Sequence, residues 1–355
     1  MKSKTFAHVL ALSVLILTAC GAGGSGVTVG KKIALLLPAT AARFDTQDRA
    51  LFTAKVTQLC SDCQVIYSPA KQDAEQQAQA KTAISSGASV IVLDPIDGAA
   101  AAAIVTEAKA ANIPVISYHR LVMNTADLGY YVSFDKAAIG ALQGTALLTA
   151  MGSKTMPTIV ELNGDPADKN AMLFIQGAHR VIDGKVHIAQ EFSTPGWKQS
   201  DAETEMQKAL AALGRTKVDG VLAADDTIAA GAIAAIKGVG MNPMPPVTGQ
   251  GAGLAAIQRI VAGDQYLTVY ESIAVEAETA AQLAYDLAFG VTVPPSMTNG
   301  KTVNNGTAEI PSVLLAPVVV TKANIESTVV ADGFWTAADI CTSQYISACV
   351  AAGIS

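Results

Sequence analysis

The stretch KKIALLLPATAARFDTQDRALFTAKVTQLC, residues 31–60, predicts a buried strand followed directly by a helix. Ile33 to Leu37 form a short continuous apolar run, which is typical of a strand covered on both faces. Phe52, Val56 and Leu59 then recur at helical spacing. Because a strand followed by a helix is the repeating unit of a parallel sheet, this stretch predicts a fold of the α/β class.

The strand–helix unit recurs along the chain in two series. The predicted strands of the first series are Ile33–Leu37, Gln64–Tyr67, Val90–Leu93, Pro114–Tyr118 and Tyr130–Ser133. Those of the second series are Thr158–Leu162, Val186–Phe192, Asp219–Ala224, Pro246–Thr248 and Leu267–Tyr270. Asp135 and Asp226 are predicted to cap helices, and a long helix, Ile273–Phe289, precedes an apolar strand at Val313–Val320. The pattern predicts two similar lobes, with a chain that crosses between them more than once.

Residues 1–20 have the features of a lipoprotein signal peptide. Lys2 and Lys4 precede an apolar run, Val9 to Leu17, that is too short to span a bilayer. The run ends in LTACG, which resembles a lipobox, so we expect lipidation of Cys20 and a lipid anchor on the extracytoplasmic side of the cell membrane. Residues 21–30 then predict a flexible tether. The alternative is an ordinary signal peptide with an incidental cysteine.

Composition limits the partners of the folded part. The residues after the tether, roughly 330 of them, are enough for two domains of ordinary size. The formal net charge is −6, and a nucleic-acid surface would need clustered lysine and arginine. We therefore expect no nucleic-acid partner, and a monomer by default.

Four cysteines remain after Cys20. Cys60 with Cys63 and Cys341 with Cys349 make an even number, which suits an oxidising compartment. We expect two local disulfides. A redox or metal role for the Cys-x-x-Cys motif at Cys60 is the alternative.

Polar and aromatic side chains follow many of the predicted strands. In open α/β sheets the functional loops lie at the carboxyl ends of the strands, and two facing lobes enclose a cleft there. A sugar site needs flat apolar walls and planar groups that bind neighbouring hydroxyls. The candidate ligand-binding residues are Arg43, Phe44, His119, Arg120, Asp168, Asn170, Trp197, Asp225, Gln250 and Glu271.

Most of these residues also have a structural interpretation. Trp197 and Phe44 could pack in a core, and Arg120 could form a salt bridge between the lobes. No catalytic elbow, phosphate-binding loop or activated nucleophile is evident, and His119, His179 and His187 lack metal-ligand spacing. We therefore expect a binding protein without catalytic residues, metal or cofactor.

The chain resembles the D-xylose-binding type of periplasmic sugar-binding proteins, in the ribose/galactose-binding class of ABC importers. The motifs that carry the resemblance are Arg43-Phe44 with Asp48, Tyr118-His119-Arg120, Tyr131 to Asp135, Asp168 to Ala171, Trp197, Ala224 to Asp226, Thr248 to Gln250, and Thr268 to Tyr270. The resemblance implies two Rossmann-like lobes with parallel sheets, joined by a three-strand hinge. It implies a lobe of residues 31–133 and 271–312, and another of 134–270 and 313–355. It also implies that Arg43, Phe44, Arg120, Asp168, Asn170 and Trp197 line the sugar cleft.

The chain departs from that family pattern at several polar positions. His119 and Gly251 stand where the family usually has aspartates, while Asp225 and Glu271 add carboxylates elsewhere. A site that pairs a particular hydroxyl rejects an analogue lacking it. The departures therefore predict a related aldose, sugar derivative or polyol, with Glu271 offsetting the acceptor missing at Gly251.

The expected function is capture of a monosaccharide, xylose-like or related, and its delivery to the transmembrane subunits of an ABC permease. A sugar or nucleoside sensor that signals through a membrane receptor is the alternative. A regulator of the lactose-repressor type would carry a helix-turn-helix where the lipobox stands.

Overall fold

The first predicted strand is the centre of the first sheet. In this computed structural model, which describes residues 30–39, 43–215 and 217–354, Lys32–Pro38 forms strand β1 and its residues from Ile33 to Leu37 are at most 1% exposed. The remaining strands in chain order are β2 (Gln64–Ala70), β3 (Val90–Leu93), β4 (Val115–Tyr118), β5 (Tyr130–Phe134), β6 (Thr158–Asn163), β7 (His187–Ser193), β8 (Gly220–Ala223), β9 (Leu267–Tyr270), β10 (Thr302–Asn304), β11 (Glu309–Leu315) and β12 (Val318–Thr321).

The helices alternate with these strands over most of the chain. They are α1 (Arg49–Leu59), α2 (Asp73–Ser85), α3 (Ala102–Ala110), α4 (Lys136–Met151), α5 (Lys169–Ile182), α6 (Gln199–Leu213), α7 (Asp226–Gly238), α8 (Leu254–Ala262), α9 (Ile273–Ala288), α10 (Pro295–Thr298), α11 (Ala337–Ile340) and α12 (Ile346–Ala352). A π-helical turn, Phe44–Asp48, leads into α1, and a 3-10 turn, Pro195–Trp197, precedes α6. Asp135 caps α4 as predicted, because its side chain accepts a hydrogen bond from the Ala138 N–H.

The first sheet has the strand order β10-β11-β5-β4-β3-β1-β2. Its pairings are parallel except that of β10 with β11. Helices α1 and α9 pack against one face and α2 and α3 against the other. Both faces are thus covered, as the continuous apolar strands predicted.

The second sheet begins with the order β7-β6-β8. Single parallel bridges, Val221 to Val247 and Gln250 to Val269, continue it to β9, which pairs with β12. Helices α6 and α7 cover one face, while α4 and α5 cover the other. Both sheets of the expected two-lobe α/β fold are therefore present.

The chain crosses between the sheets three times within the described residues. The crossings follow Phe134, Tyr270 and Leu315, where β5, β9 and β11 end. The single strand expected at Val313–Val320 is wrong, because β11 pairs with β5 while β12 pairs with β9. Pro317, which cannot donate a ladder hydrogen bond, separates the two strands. The boundary predicted between residues 312 and 313 thus falls inside β11.

The C-terminal segment packs on the second sheet. Its apolar side chains join α8 and β9 in one buried cluster, and the Trp335 indole N–H donates to the Ala252 carbonyl at 2.8 Å. Asp332 accepts hydrogen bonds from the hydroxyls of Tyr270 (3.2 Å) and Ser272 (2.8 Å), at the second crossing. The segment therefore also contacts the crossing chain.

The predicted signal peptide, Cys20 and the tether up to residue 29 lie outside the described residues. Among residues 30–39, 43–215 and 217–354, no helix combines the length and the apolar character needed to cross a bilayer.

Helices α4 and α5 approach each other closely through two glycines. A Cβ atom on Gly177 would lie 1.8 Å from the Ala137 carbonyl oxygen, and one on Gly140 would lie 1.9 Å from the Phe174 carbonyl oxygen. These neighbours are backbone atoms of packed helices, which cannot move as a side chain can. Glycine is required at both positions.

We predict that Gly177→Ala destabilises the protein by about 1–3 kcal/mol, because the added methyl group pushes the two helices apart. Thermal unfolding measures the effect as a lower midpoint. Gly238→Ala in α7 is the matched control, since its Cβ would meet no atom within 4 Å, and alanine is the better helix former. Equal midpoints for Gly177→Ala and the wild type would contradict the helix contact.

Candidate functional site

Arg43 is held in place by a buried carboxylate. Its Nε and Nη2 atoms donate to Asp48 Oδ2 and Oδ1 at 3.0 and 2.9 Å, and Tyr118 donates to the same carboxylate at 2.6 Å. Arg43 Nη2 also lies 3.6 Å from Glu276 Oε2. Burial opposes the charge of Arg43, but Asp48 outweighs it and raises the Arg43 pKa. The guanidinium is thus fixed and charged, with 28% of the side chain exposed.

His119 lies beside this group in a strained backbone conformation. Its φ is +60°, and its carbonyl oxygen accepts hydrogen bonds from the hydroxyls of Tyr131 (3.1 Å) and Ser133 (2.9 Å), which hold that conformation. His119 Nδ1 lies 3.4 Å from Glu276 Oε1. Glu276, a residue of α9 that the sequence did not single out, therefore contacts both Arg43 and His119.

Phe44 packs against the His119 ring edge-to-face, with centroids 6.2 Å apart. The side chain is only 3% exposed and belongs to the core under α1 and α9. The core-packing interpretation therefore describes most of this ring, and contact with a ligand stays a prediction.

Asp94 is the residue that sequence reasoning missed. It follows β3 directly, is 0% exposed, and neither of its carboxylate oxygens has a hydrogen-bond partner. Burial raises its pKa to about 6, against the opposing charges of His119 and Arg120. A buried carboxylate without a partner is costly, so Asp94 offers two acceptors to a ligand.

Arg120 extends from the same strand end. The residue is exposed, and its Nη1 atom donates weakly to the Pro95 carbonyl at 3.4 Å. Among the described residues it forms no ion pair, so the salt bridge considered for it is not present in this structure. Its charge acts on Asp94 instead.

Gln250 and Glu271 meet at the second crossing. Gln250 Nε2 donates to Glu271 Oε2 at 2.9 Å, while Glu271 Oε1 forms a short ion pair with Lys136. Glu271 and Lys136 are largely buried, with 12% and 8% of their side chains exposed. Both oxygens of Glu271 therefore already have partners within the protein, and its role in place of an acceptor at Gly251 stays a prediction.

The helix cap expected at Asp226 is provided by Asp225 instead. Asp225 caps α7 by accepting from the Ile228 N–H at 2.7 Å, so the prediction that Asp226 is the cap is wrong. Asp226 instead accepts hydrogen bonds from Gln265 (2.8 Å), Thr268 and the Gly253 N–H. Burial raises the pKa of Asp225 to about 6 and that of Asp226 to about 7. Asp226 thus organises the loop that carries Gln250, while ligand contact by Asp225 stays a prediction.

Trp197 lies after β7, at the carboxyl end of the second sheet. A Cβ on Gly164 would come within 2.1 Å of the indole, so the ring lies directly over that glycine, and its edge contacts Phe174 at a centroid distance of 6.4 Å. The side chain is half-buried. The Trp197 ring therefore packs on the second sheet and still has an exposed part that a ligand can contact.

Asp168 and Asn170 begin α5 at the same end of the second sheet. Asp168 caps the helix by accepting from the Asn170 N–H at 2.8 Å. Within the described part of the chain, no hydrogen bond or ion pair joins Asp168, Asn170 or Trp197 to the Arg43 group. The structure thus brings some predicted residues together around Arg43 and others at Glu271, while Asp168, Asn170, Trp197 and Asp225 lie at other strand ends of the second sheet.

The two cysteine pairs lie outside these groups. The sulfur atoms of Cys60 and Cys63 are 2.10 Å apart, and those of Cys341 and Cys349 are 2.06 Å apart. Two surface cavities of about 520 and 510 Å³ around Pro245 and Pro246 lie at the amino ends of β8 and β9 and contain none of the predicted residues.

Comparisons with known proteins agree with this architecture. Residues 33–291 match the family model of a periplasmic binding protein domain. A D-xylose-binding periplasmic protein of Escherichia coli is 36% identical, over 81% of this chain and 86% of that protein. A multiple sugar-binding periplasmic receptor of Rhizobium radiobacter is 32% identical, over 74% of this chain and 79% of the receptor.

A solved structure is similar over nearly the whole fold. It is a carbohydrate transporter solute-binding protein of Chloroflexus aurantiacus in complex with D-glucose, with a TM-score of 0.72 and 26% identity, over 87% of this chain and 98% of that one. These comparisons confirm the family resemblance seen in the sequence. They relate the chain to binding proteins, not to enzymes.

We predict that Asp94→Asn stabilises the ligand-free protein at pH 7.5 but not at pH 4. Folding raises the Asp94 pKa from 3.8 to about 6. The folded state therefore holds this proton more tightly, and the free energy of unfolding falls as the pH rises through that interval. At pH 7.5 the neutral amide of Asp94→Asn increases the free energy of unfolding by at most about 3 kcal/mol. Thermal unfolding at both pH values measures it.

Asp62→Asn, at an exposed position, is the control for removal of one negative charge. If Asp94→Asn lowers the midpoint more at pH 7.5 than at pH 4, the ionised Asp94 carboxylate has a partner in the folded protein and the description of the site is wrong.

Proposed function

The chain belongs to the family of periplasmic binding protein domains, and we propose that it captures a monosaccharide between its two sheets and delivers it to an ABC permease. The observation that carries the proposal is Asp94, a buried carboxylate with two unpartnered oxygens at the carboxyl end of β3. Sugar hydroxyls are donors of the kind that such a carboxylate needs.

The groups around Asp94 fit a neutral, hydroxyl-rich ligand. Arg43 and Arg120 supply guanidinium donors, and Asp94 and Glu276 supply carboxylates, so both signs of charge are present. A hydroxyl can donate to one group and accept from the other, whereas an ionic ligand would meet a repulsive partner in either case. Trp197, half-buried on the second sheet, offers an apolar surface to the C–H face of a sugar ring.

The polar pattern supports a sugar related to xylose, but with different hydroxyl positions. His119 and Gly251 stand where the family usually has aspartates, while Asp94 supplies an acceptor pair at the end of β3, the strand next to the one that His119 follows. Neighbouring strands are about 5 Å apart, so an acceptor at Asp94 lies roughly one strand spacing from position 119. We therefore propose an aldose, sugar derivative or polyol whose hydroxyls match Asp94.

Closure of the two lobes is the proposed mechanism of delivery. A ligand held by Arg43 and Asp94 on one sheet and by Trp197 and Asn170 on the other favours the closed state by its difference in affinity for the two states. The Lys136–Glu271 ion pair joins the first and second crossings, which bend during closure. The permease then recognises the closed form.

We also propose that the protein is a monomeric lipoprotein, anchored through Cys20 outside the cell membrane. The sequence motif supports the anchor. The short sulfur–sulfur distances in both cysteine pairs support disulfides at Cys60–Cys63 and Cys341–Cys349, and such bonds persist in an oxidising compartment.

Sensing through a membrane receptor is a second candidate function. The similarity to the periplasmic receptor of Rhizobium radiobacter favours it. Both functions use the same ligand and closure, and they differ only in the partner of the closed form. Deletion of the cognate permease abolishes sugar uptake if the protein serves transport, but leaves the sugar response intact if it serves sensing.

We predict that the form lacking residues 1–26 shows a raised unfolding midpoint with one or a few monosaccharides or polyols. A ligand that binds only the folded state stabilises it by mass action. A thermal-shift panel of pentoses, hexoses, polyols, nucleosides and amino acids measures this. A shift with nucleosides alone, or with amino acids alone, would contradict the proposed ligand class.

For the sugar that this panel selects, Asp94→Asn is expected to weaken binding roughly 10- to 100-fold, because hydrogen bonds to a charged acceptor are lost. Titration calorimetry measures the loss, and Asp62→Asn is the control that leaves binding unchanged. Unchanged affinity in Asp94→Asn would show that this carboxylate does not contact the ligand.

A further inference from the structure

Two glutamates face each other across neighbouring strands of the second sheet. Glu161 of β6 and Glu191 of β7 are register partners in a parallel pair, so their side chains leave the same face of the sheet. Like charges in such positions repel each other. A cation between them would remove this repulsion.

Glu161 is a buried carboxylate whose nearest cationic group among the described residues is the His179 ring. The residue is 0% exposed, and neither carboxylate oxygen forms a hydrogen bond of regular geometry, although the His179 ring and the Asn163 amide lie nearby. Burial raises the Glu161 pKa, although the charge of His179 opposes that shift. Glu191 is exposed, and one of its oxygens accepts from the Asn163 amide at 3.1 Å. The pair therefore has a buried end and an end open to solvent.

His179 of α5 completes the group. Its Nε2 atom lies 3.3 Å from Glu161 Oε2, and its Nδ1 atom lies 2.7 Å from Asp183 Oδ1. A neutral imidazole that donates its Nδ1 proton to Asp183 keeps a lone pair on Nε2, directed at Glu161. A carboxylate behind a histidine orients that ring in many zinc sites.

We propose that Glu161, His179 and Glu191 bind a divalent transition-metal ion of the zinc class, with Asp183 as the positioning residue. One ligand atom from each of the three residues lies within 4.8 Å of the others. Zinc bonds to nitrogen and carboxylate oxygen are about 2.0–2.2 Å long, so modest side-chain rotations bring the three atoms onto one ion. The exposed side at Glu191 admits the ion and leaves a position for water.

The ion would fasten α5 to β6 and β7. Asp168 and Asn170 begin α5, so the site would stabilise the helix that presents these two cleft residues. The site contains none of the proposed sugar-binding residues, and the inference does not depend on the proposed sugar. The sequence offered little sign of it, because Glu161, His179 and Glu191 are far apart in the chain and lack a local ligand spacing.

A metal-free ion pair is the competing explanation. A protonated His179 between Glu161 and Asp183 would also reduce the repulsion without an ion. The two explanations differ in zinc binding, which only the first requires.

The test is calorimetric titration with zinc chloride of protein first treated with EDTA and then freed of chelator. The expected result is saturable binding of one ion per chain and a raised unfolding midpoint. Binding should be lost in His179→Ala and weakened about 10- to 100-fold in Asp183→Asn. His187→Ala, which removes an exposed histidine of β7, is the matched control and should bind as the wild type does.

Absence of saturable zinc binding would overturn the proposal. Equal binding by His179→Ala and the wild type would do so as well, and so would a preference for calcium or magnesium over zinc. If His179→Ala fails to fold, the exposed Asp183→Asn variant decides, since an ion held elsewhere would be insensitive to that change. Sugar binding is measured on the same samples, so that a failure of either proposal is seen separately.

Discussion

The strands of each parallel sheet end at one common edge, and the proposed binding site depends on that constraint. Arg43, Asp94 and His119 come from separate parts of the chain, yet each follows a strand of the first sheet. Gln250, Trp197 and Asn170 hold equivalent positions at the second sheet. The three crossings keep the two edges attached to each other. Parallel topology thus brings distant segments of the chain to one edge of each sheet.

The carboxylates near these strand ends differ in whether protein groups donate hydrogen bonds to them. Asp48 is satisfied by Arg43 and Tyr118, and Glu271 by Lys136 and Gln250. Asp94 is the exception, since burial separates it from water without giving it a hydrogen bond. Natural binding sites often keep such a destabilising group, because the ligand compensates for it when bound. The same feature thus explains both the raised pKa of Asp94 and its proposed role.

Much of the fold could be predicted from the sequence, because the signals are local. The apolar run of β1 and the Asp135 cap depend on neighbouring residues, and both are confirmed. The expected strand at Val313–Val320 was wrong because hydrophobicity alone does not reveal that its two halves pair with different sheets. Pro317 was the available signal.

The site was less predictable, because its contacts are distant in sequence. Residues at strand ends, such as Arg43 and His119, could be found from the pattern of strands. Glu276 and Lys136 could not be found in this way, because each occupies an ordinary helix position and its partner is distant in the sequence. Asp94 could have been noticed, because it is a carboxylate directly after a fully apolar strand. The same pattern also marks an ordinary loop start, so it did not single out Asp94.

A crystal structure of the protein with the sugar selected by thermal shift tests the central claim most directly. The account predicts ligand hydroxyls within about 2.5–3.0 Å of both Asp94 oxygens, with Arg43 on the same ligand and the Trp197 ring against its C–H face. A ligand bound away from Asp94, with that carboxylate hydrogen-bonded to protein groups or water alone, would contradict it.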